Sequence, residues 1–204
     1  MQLDFWLDPA CPWCWVTSRW VNDVAPHRDL EVRWRPISLK IKNDTGPDSP
    51  WYEVASYTHN LLRVMESVRA AEGDAPLGGL YTVYGEHIHH QQDRSRPAAE
   101  LLAEAGLDTA HAAAFDDESW DVAIRAAMDE GLALTGNDVG TPLLAFTDDT
   151  GKRVGFFGPV ISRRLPLDQG LRLWDGVSAA ATVDGFWELK RTRNEGPDFT
   201  PPAS

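Results

Sequence analysis

The only two cysteines of the chain stand three positions apart in the sequence Asp8-Pro9-Ala10-Cys11-Pro12-Trp13-Cys14-Trp15. Two thiols at this spacing lie about one helical turn apart, close enough to form and reopen a disulfide. The pattern predicts a dithiol/disulfide redox site rather than two unrelated core residues.

Cys11 is expected to be the attacking thiol. The strand-type run Leu3–Leu7 ends at the turn-forming Asp8-Pro9, and apolar residues recur at helical spacing after Cys14. Cys11 therefore falls at or just before a helix N-terminus, where free N–H groups and the helix dipole lower the pKa of a thiol. Pro12 suits the first helical turn because its nitrogen has no N–H to leave unpaired. Cys14, one turn further on, becomes the resolving thiol.

Other uses of the cysteine pair fit the sequence less well. Zinc takes about four ligands, and the chain has no second C-x-x-C and no nearby C-x-x-H. A structural disulfide over so short a loop would restrain little of the unfolded chain. We interpret His87, His89 and His90 as a polar helical face, and no metal site is predicted.

The composition restricts the partners. The chain has 204 residues, 43% of them hydrophobic, and a net charge of −12, which disfavours nucleic acids and anionic membranes as partners. No apolar run approaches the roughly 18 residues of a membrane helix, and no signal segment precedes the first strand, so a cytoplasmic protein is expected. No Gly-rich dinucleotide or flavin fingerprint occurs, so no tightly bound cofactor is expected.

The order of patterns predicts an α/β protein interrupted by helices. A strand, a helix and the alternating run Leu30–Ile37 predict two parallel strands joined by a right-handed crossover. After a helical stretch, Val139–Phe146 and Arg153–Gly158 predict an antiparallel pair around the turn 148–151, followed by a last helix, Pro166–Ala180. The predicted divisions are a first part (1–45), a helical insertion (46–136), a second part (137–195) and a loose tail (196–204).

The dipeptide Thr141-Pro142 is the second informative stretch, because it stands immediately before a predicted strand, where proline is otherwise unwelcome. A cis peptide bond is expected there. Here the chain resembles the thioredoxin superfamily, in which a cis-proline loop faces the C-x-x-C motif. The resemblance implies that Thr141 and Pro142 shape the substrate site.

A closer resemblance covers nearly the whole chain. Besides the cysteine motif it rests on these segments: Thr17-Ser18-Arg19-Trp20, Ile88-His89, Val139-Gly140-Thr141-Pro142, Phe156-Phe157-Gly158-Pro159-Val160 and Glu188-Leu189-Lys190-Arg191-Thr192-Arg193. Together they resemble the actinobacterial DsbA-family group typified by mycothiol-dependent nitroreductases. The resemblance implies a thioredoxin-like, DsbA-like fold with an inserted all-helical subdomain, mycothiol as the thiol co-substrate, and small electrophiles such as nitroaromatics as substrates.

Several further residues are candidates for shaping the site. Trp13 is expected either to stack on an aromatic acceptor or to shield the disulfide. Asn43, in the loop after the second strand, either reaches the cleft or serves the turn there. His89, in the Ile-His segment, either belongs to the polar helical face or reaches the cleft. Asp8 either relays protons to a cysteine or only shapes the turn. The basic segment Lys190–Arg193 is either a solvated face or a docking point for a thiol's polar groups.

Three alternative functions remain at this stage. The first is a protein disulfide oxidoreductase or isomerase of the DsbA/FrnE type, with protein disulfides as substrates. The second is the related kappa-type glutathione transferase and chromene-carboxylate isomerase group, which uses a serine where this chain has a cysteine pair. The third is a redox sensor without significant turnover.

Overall fold

A computed structural model describes residues 1–148 and 150–201. Four strands form one sheet in the order β2-β1-β3-β4. Their bounds are Gln2–Leu7 (β1), Glu31–Pro36 (β2), Leu143–Thr147 (β3) and Arg153–Phe157 (β4). β1 is parallel to β2 and antiparallel to β3, and β3 is antiparallel to β4. The predicted parallel and antiparallel pairs are confirmed; the turn predicted for 148–151 includes Asp149, which lies outside the described residues.

Seven α-helices are present in the described part of the chain. They are Pro12–Val24 (α1), Leu39–Lys42 (α2), Tyr52–Glu72 (α3), Leu77–Gly85 (α4), Ala98–Glu104 (α5), Asp121–Thr135 (α6) and Leu167–Ala181 (α7). Shorter turns of 3-10 helix span Ala25–His27, Thr109–Asp116 and Glu118–Trp120, and a π-helical turn spans Glu86–His90. No helix of the described residues is both long and apolar enough to cross a bilayer.

Helix α4 begins inside a glycine-containing stretch of the sequence. The glycines at positions 73, 78 and 79 are typical of a break that would end near Leu80, but α4 already begins at Leu77. A Cβ on Gly78 would lie 2.7 Å from Nε1 of Trp34. This glycine therefore permits a close contact between helix and sheet, and such a packing role cannot be distinguished from helix breaking by sequence pattern alone.

Tryptophans fix α1 and the sheet to the surrounding helices. Trp6 of β1 and Trp20 of α1 are fully or almost fully buried. Their indole N–H groups donate to the carbonyl of Ala127 at 2.7 Å and to that of Gly170 at 3.0 Å. Buried indoles are stabilising when the N–H is paired in this way. The helix that carries the cysteines is thus held at its C-terminal half by α7.

The C-terminal segment after α7 has no helix in its described residues, and Trp187 is 91% exposed. In the described part of the tail, 196–201, the backbone N–H of Asp198 donates to the carbonyl of Ser162 at 2.6 Å, and Phe199 packs on two histidines. The looseness expected of the Pro-rich tail 196–204 stays a prediction.

Candidate active site

Cys11 is the N-cap of α1. Its backbone is extended, with φ −79° and ψ 110°, and its Sγ accepts a hydrogen bond from the backbone N–H of Cys14 at 3.3 Å. Pro12 occupies the first helical turn. A cap residue normally supplies a side-chain oxygen to the free N–H groups of the first turn; here a sulfur takes that place. The predicted position of Cys11 is confirmed.

The environment of Cys11 favours its thiolate. The pKa of Cys11 is lowered chiefly by a hydrogen bond from the Cys14 side chain, then by Thr141 and by the backbone N–H of Cys14, while burial and the charge of Asp8 oppose this. The largest contribution to the lowered pKa therefore comes from the Cys14 thiol and not from the helix N-terminus. A hydrogen bond donated to a charged sulfur stabilises the thiolate directly.

Cys14 has the opposite character. It is completely buried, and burial raises the pKa of Cys14 well above that of an ordinary thiol. The two cysteines are therefore differentiated as an acidic thiol and a protonated hydrogen-bond donor. Only 5% of the surface of Cys11 is accessible. Access to its sulfur is narrow, and this limits which substrates reach it.

The loop before β3 faces the cysteines. The Thr141-Pro142 peptide bond is cis, as predicted, and a second cis bond joins Gly158 to Pro159. The carbonyl of Thr141 lies 3.8 Å from Sγ of Cys11, and Thr141 is 6% exposed. The predicted proximity of this loop to Cys11 is confirmed.

Asp8 connects the redox loop, residues 8–14, to helix α2 through hydrogen bonds. One carboxylate oxygen accepts the N–H of Ala10 at 2.8 Å, and the other accepts the N–H of Leu39, at the start of α2, at 2.6 Å. Asp8 is fully buried, and this desolvation raises its pKa to about 6. Of the two roles left open, shaping the turn is confirmed, and proton relay stays a prediction.

Asp8→Asn is expected to remove a pH dependence of stability. The pKa of Asp8 is raised from 3.8 to about 6 in the folded protein. The stability from its protonated form is therefore present below about pH 4 and is lost as the pH rises through about 6. Two pKa units correspond to about 3 kcal/mol.

Urea unfolding of both proteins between pH 4 and pH 7 measures this effect. The wild-type minus Asp8→Asn difference in unfolding free energy should fall across that range, and contributions of other groups cancel in the difference. Parallel curves would show that Asp8 titrates at its ordinary pKa.

His89 braces the redox loop from the helical side. Its Nε2 lies 3.0 Å from the carbonyl of Pro9, and its ring stacks on Trp15 with centroids 5.9 Å apart. Burial lowers the pKa of His89 to about 4, so the imidazole is neutral at pH 7 and donates Nε2–H to Pro9. This contact places His89 against the backbone before Cys11, and the expectation that His89 reaches the cleft stays a prediction.

The other two histidines of this segment are used structurally. His90 accepts the indole N–H of Trp15 at 3.1 Å, and His87 pairs with Glu104 at 2.7 Å. Within residues 1–148 and 150–201, no cluster of three or more His, Cys, Asp or Glu side chains has a geometry that could hold a metal ion.

The two remaining candidate residues, Trp13 and Asn43, have different surroundings. Trp13 is half-buried, and the guanidinium carbon of Arg193 lies 5.2 Å from its ring centroid. Asn43 is exposed and caps the C-terminus of α2, with its N–H bonded to the carbonyl of Leu39. Its part in the site stays a prediction.

The sequence did not indicate a hydrogen-bond network that joins the first part of the chain (1–45) to the helical segment 46–136. Ser38 caps α2 and lies 3.0 Å from Nδ1 of His59 in α3, whose Nε2 lies 3.0 Å from Asp121 at the start of α6. Arg63 completes the network by pairing with Asp121. Ser38 and Asp121 are more than 80 residues apart in the sequence, so no local pattern indicates this network.

Two sequence comparisons relate this chain to known proteins. The model of the Rv2466c-like family, described as mycothiol-dependent nitroreductase Rv2466c, matches residues 10–191. An uncharacterized Mycobacterium tuberculosis protein, Rv2286c, is 29% identical over 197 residues, which cover 94% of this chain and 82% of that protein.

Solved structures support the fold. The cytosolic disulfide reductase DsbM from Pseudomonas aeruginosa is 18% identical, with a TM-score of 0.60 over 88% of this chain and all of that chain. The oxidoreductase DsbA from Xylella fastidiosa is 16% identical, with a TM-score of 0.51 over 87% and 84%. The chain has the predicted α/β, DsbA-like thioredoxin fold, and it is a thiol-dependent oxidoreductase that belongs to the Rv2466c-like family.

Proposed function

We propose that this protein is a cytoplasmic reductase of small electrophiles, nitroaromatics among them, and that mycothiol supplies its electrons. The observation that carries the proposal is the family match across residues 10–191, which includes the acidic Cys11 and the protonated Cys14. The family is described by a mycothiol-dependent nitroreductase, and this description supports mycothiol as the donor and nitroaromatics as acceptors.

In this proposal, the catalytic cycle uses the cysteine pair as a two-electron carrier. The dithiol reduces a nitro group to a nitroso group and water, with two electrons and two protons from Cys11 and Cys14, and the cysteines become a disulfide. Mycothiol then attacks the Cys11 sulfur and displaces the Cys14 thiolate, which takes up a proton. A second mycothiol attacks the mixed disulfide, releases oxidised mycothiol and restores the dithiol.

Access to the site favours small acceptors over folded proteins. Cys11 is 5% exposed, the carbonyl of Thr141 lies over its sulfur, and Phe199 of the tail packs beside the loop at His89. A protein disulfide would have to approach through these groups. The alternative is a protein disulfide oxidoreductase of the DsbA/FrnE type, as the fold similarity to DsbM suggests.

Steady-state turnover with paired donors and acceptors tests the proposal. The pure protein is supplied with mycothiol or glutathione, each with its own NADPH-dependent disulfide reductase, and with a nitroaromatic, a quinone or a scrambled protein as acceptor. We expect rapid turnover with mycothiol and a small electrophile, and slow turnover with glutathione.

Three results would contradict the proposal. Efficient turnover with glutathione alone would overturn the donor. Faster reaction with the scrambled protein would favour the protein disulfide alternative. Stoichiometric oxidation without turnover for every acceptor would favour a redox sensor.

A further inference from the structure

The C-terminal segment contacts Trp13, which lies after Cys11 in the sequence, and His89, which is hydrogen-bonded to Pro9 before it. Arg193 lies over the ring of Trp13, two residues after Cys11. Phe199 lies 5.3 Å from the ring of His89, which is bonded to Pro9 before the cysteine. The segment between these contacts is anchored by the Asp198 N–H bond to Ser162. Residues beyond 191 also lie outside the stretch matched by the family model.

Arg193 differs from most arginines of this acidic chain. Nine of the fifteen arginines form ion pairs with carboxylates within residues 1–148 and 150–201. Arg193 is exposed and has no ion pair or hydrogen bond with any described residue, although the net charge is −12. Its nearest acidic neighbour in sequence, Glu195, pairs with Arg163. A contact with a ring face uses none of the five guanidinium N–H donors, which are therefore free for a ligand.

We propose that Arg193 is a specificity-determining residue that selects aromatic acceptors carrying a carboxylate. The guanidinium fork matches a planar pair of oxygens, and the half-buried ring of Trp13 offers an apolar surface to the acceptor's ring. The negative net charge disfavours anions over most of the surface. A cation with no ion-pair partner among the described residues, lying over the ring of Trp13 two residues from Cys11, therefore attracts them to this part of the chain. The inference rests on the proposed function only in treating an aromatic molecule as the electron acceptor.

Binding to the oxidised protein tests this without any turnover. Calorimetry compares para-nitrobenzoate with its neutral isostere para-nitrobenzamide on wild type, Arg193→Gln and Arg193→Lys. A charge-assisted pair of hydrogen bonds contributes about tenfold in affinity. Arg193→Gln should therefore weaken benzoate binding about tenfold and change amide binding less than about twofold, with Arg193→Lys in between.

Arg172→Gln provides the matched control. Arg172 is exposed on α7, which contacts the C-terminal half of α1, whereas Cys11 caps the N-terminus of that helix. It should bind both compounds as wild type does. Equal losses for benzoate and amide in Arg193→Gln, equal losses in the two glutamine variants, or no binding of para-nitrobenzoate to wild type would each overturn the inference. If benzoate selectivity depends on Arg193 but no nitroaromatic is reduced, only the proposed function fails.

Discussion

Replacing Cys11 with serine should reduce turnover to the rate of the uncatalysed reaction for every donor and acceptor. The sulfur of Cys11 is the only acidic thiol in the chain and the only one with any access, because Cys14 is completely buried and its pKa is raised. A thiolate is the nucleophile in disulfide exchange, so no other group can replace it.

Cys14→Ser provides the informative counterpart. It should also stop multiple turnover, but it should accumulate a mixed disulfide on Cys11, because the first attack needs only that sulfur. Mass spectrometry of the protein after exposure to oxidised mycothiol measures the adduct. If Cys14 in the Cys11→Ser variant formed the adduct as fast as Cys11 does in Cys14→Ser, the assignment of Cys11 as the attacking thiol would be contradicted.

Gly85→Ala should cause the largest loss of stability from a single added methyl group. A Cβ at this position would lie 2.1 Å from Cε3 and Cζ3 of Trp15, whose ring is 1% exposed and is held by His89 and His90. An overlap this deep forces the indole or the end of α4 to move, and overpacking of a core costs about 1–3 kcal/mol and sometimes more. We expect a loss of about 3 kcal/mol.

Gly79→Ala in the same helix provides the control. Its Cβ would meet nothing within 4 Å and the residue is exposed, so alanine should stabilise α4 by up to about 1 kcal/mol. Urea denaturation of both variants against wild type measures the two effects. Similar stability of Gly85→Ala and Gly79→Ala would show that Trp15 does not occupy the space beside Gly85.

The redox motif and its flanking elements were predictable because their signals are local. The cysteine spacing, the Asp8-Pro9 turn and the helical periodicity after Cys14 all occur within 25 residues, and they gave β1, the N-cap position of Cys11 and α1 correctly. The cis bond before Pro142 needed the resemblance to a superfamily as well, since an X-Pro dipeptide alone is weak evidence.

The contacts that tune the site were not predictable, because they join distant segments. Nothing near Asp8 in the sequence indicates that its second oxygen accepts the N–H of Leu39. The contact of Arg193 with Trp13 spans 180 residues, and that of Phe199 with His89 spans 110. Such contacts depend on tertiary packing, which periodicity and turn chemistry do not encode.

The acidity of Cys11 is the central claim, and titrating the fully reduced protein by thiolate ultraviolet absorbance tests it most directly. We expect Cys11 to ionise at a pKa below that of an ordinary cysteine, and Cys14 to ionise only at far higher pH. The acidic step should vanish in Cys11→Ser, persist in Cys14→Ser, which keeps a hydroxyl donor, and move to higher pH in Cys14→Ala. Two thiols that titrate together at the ordinary cysteine pKa would contradict the assignment of Cys11 as the attacking group.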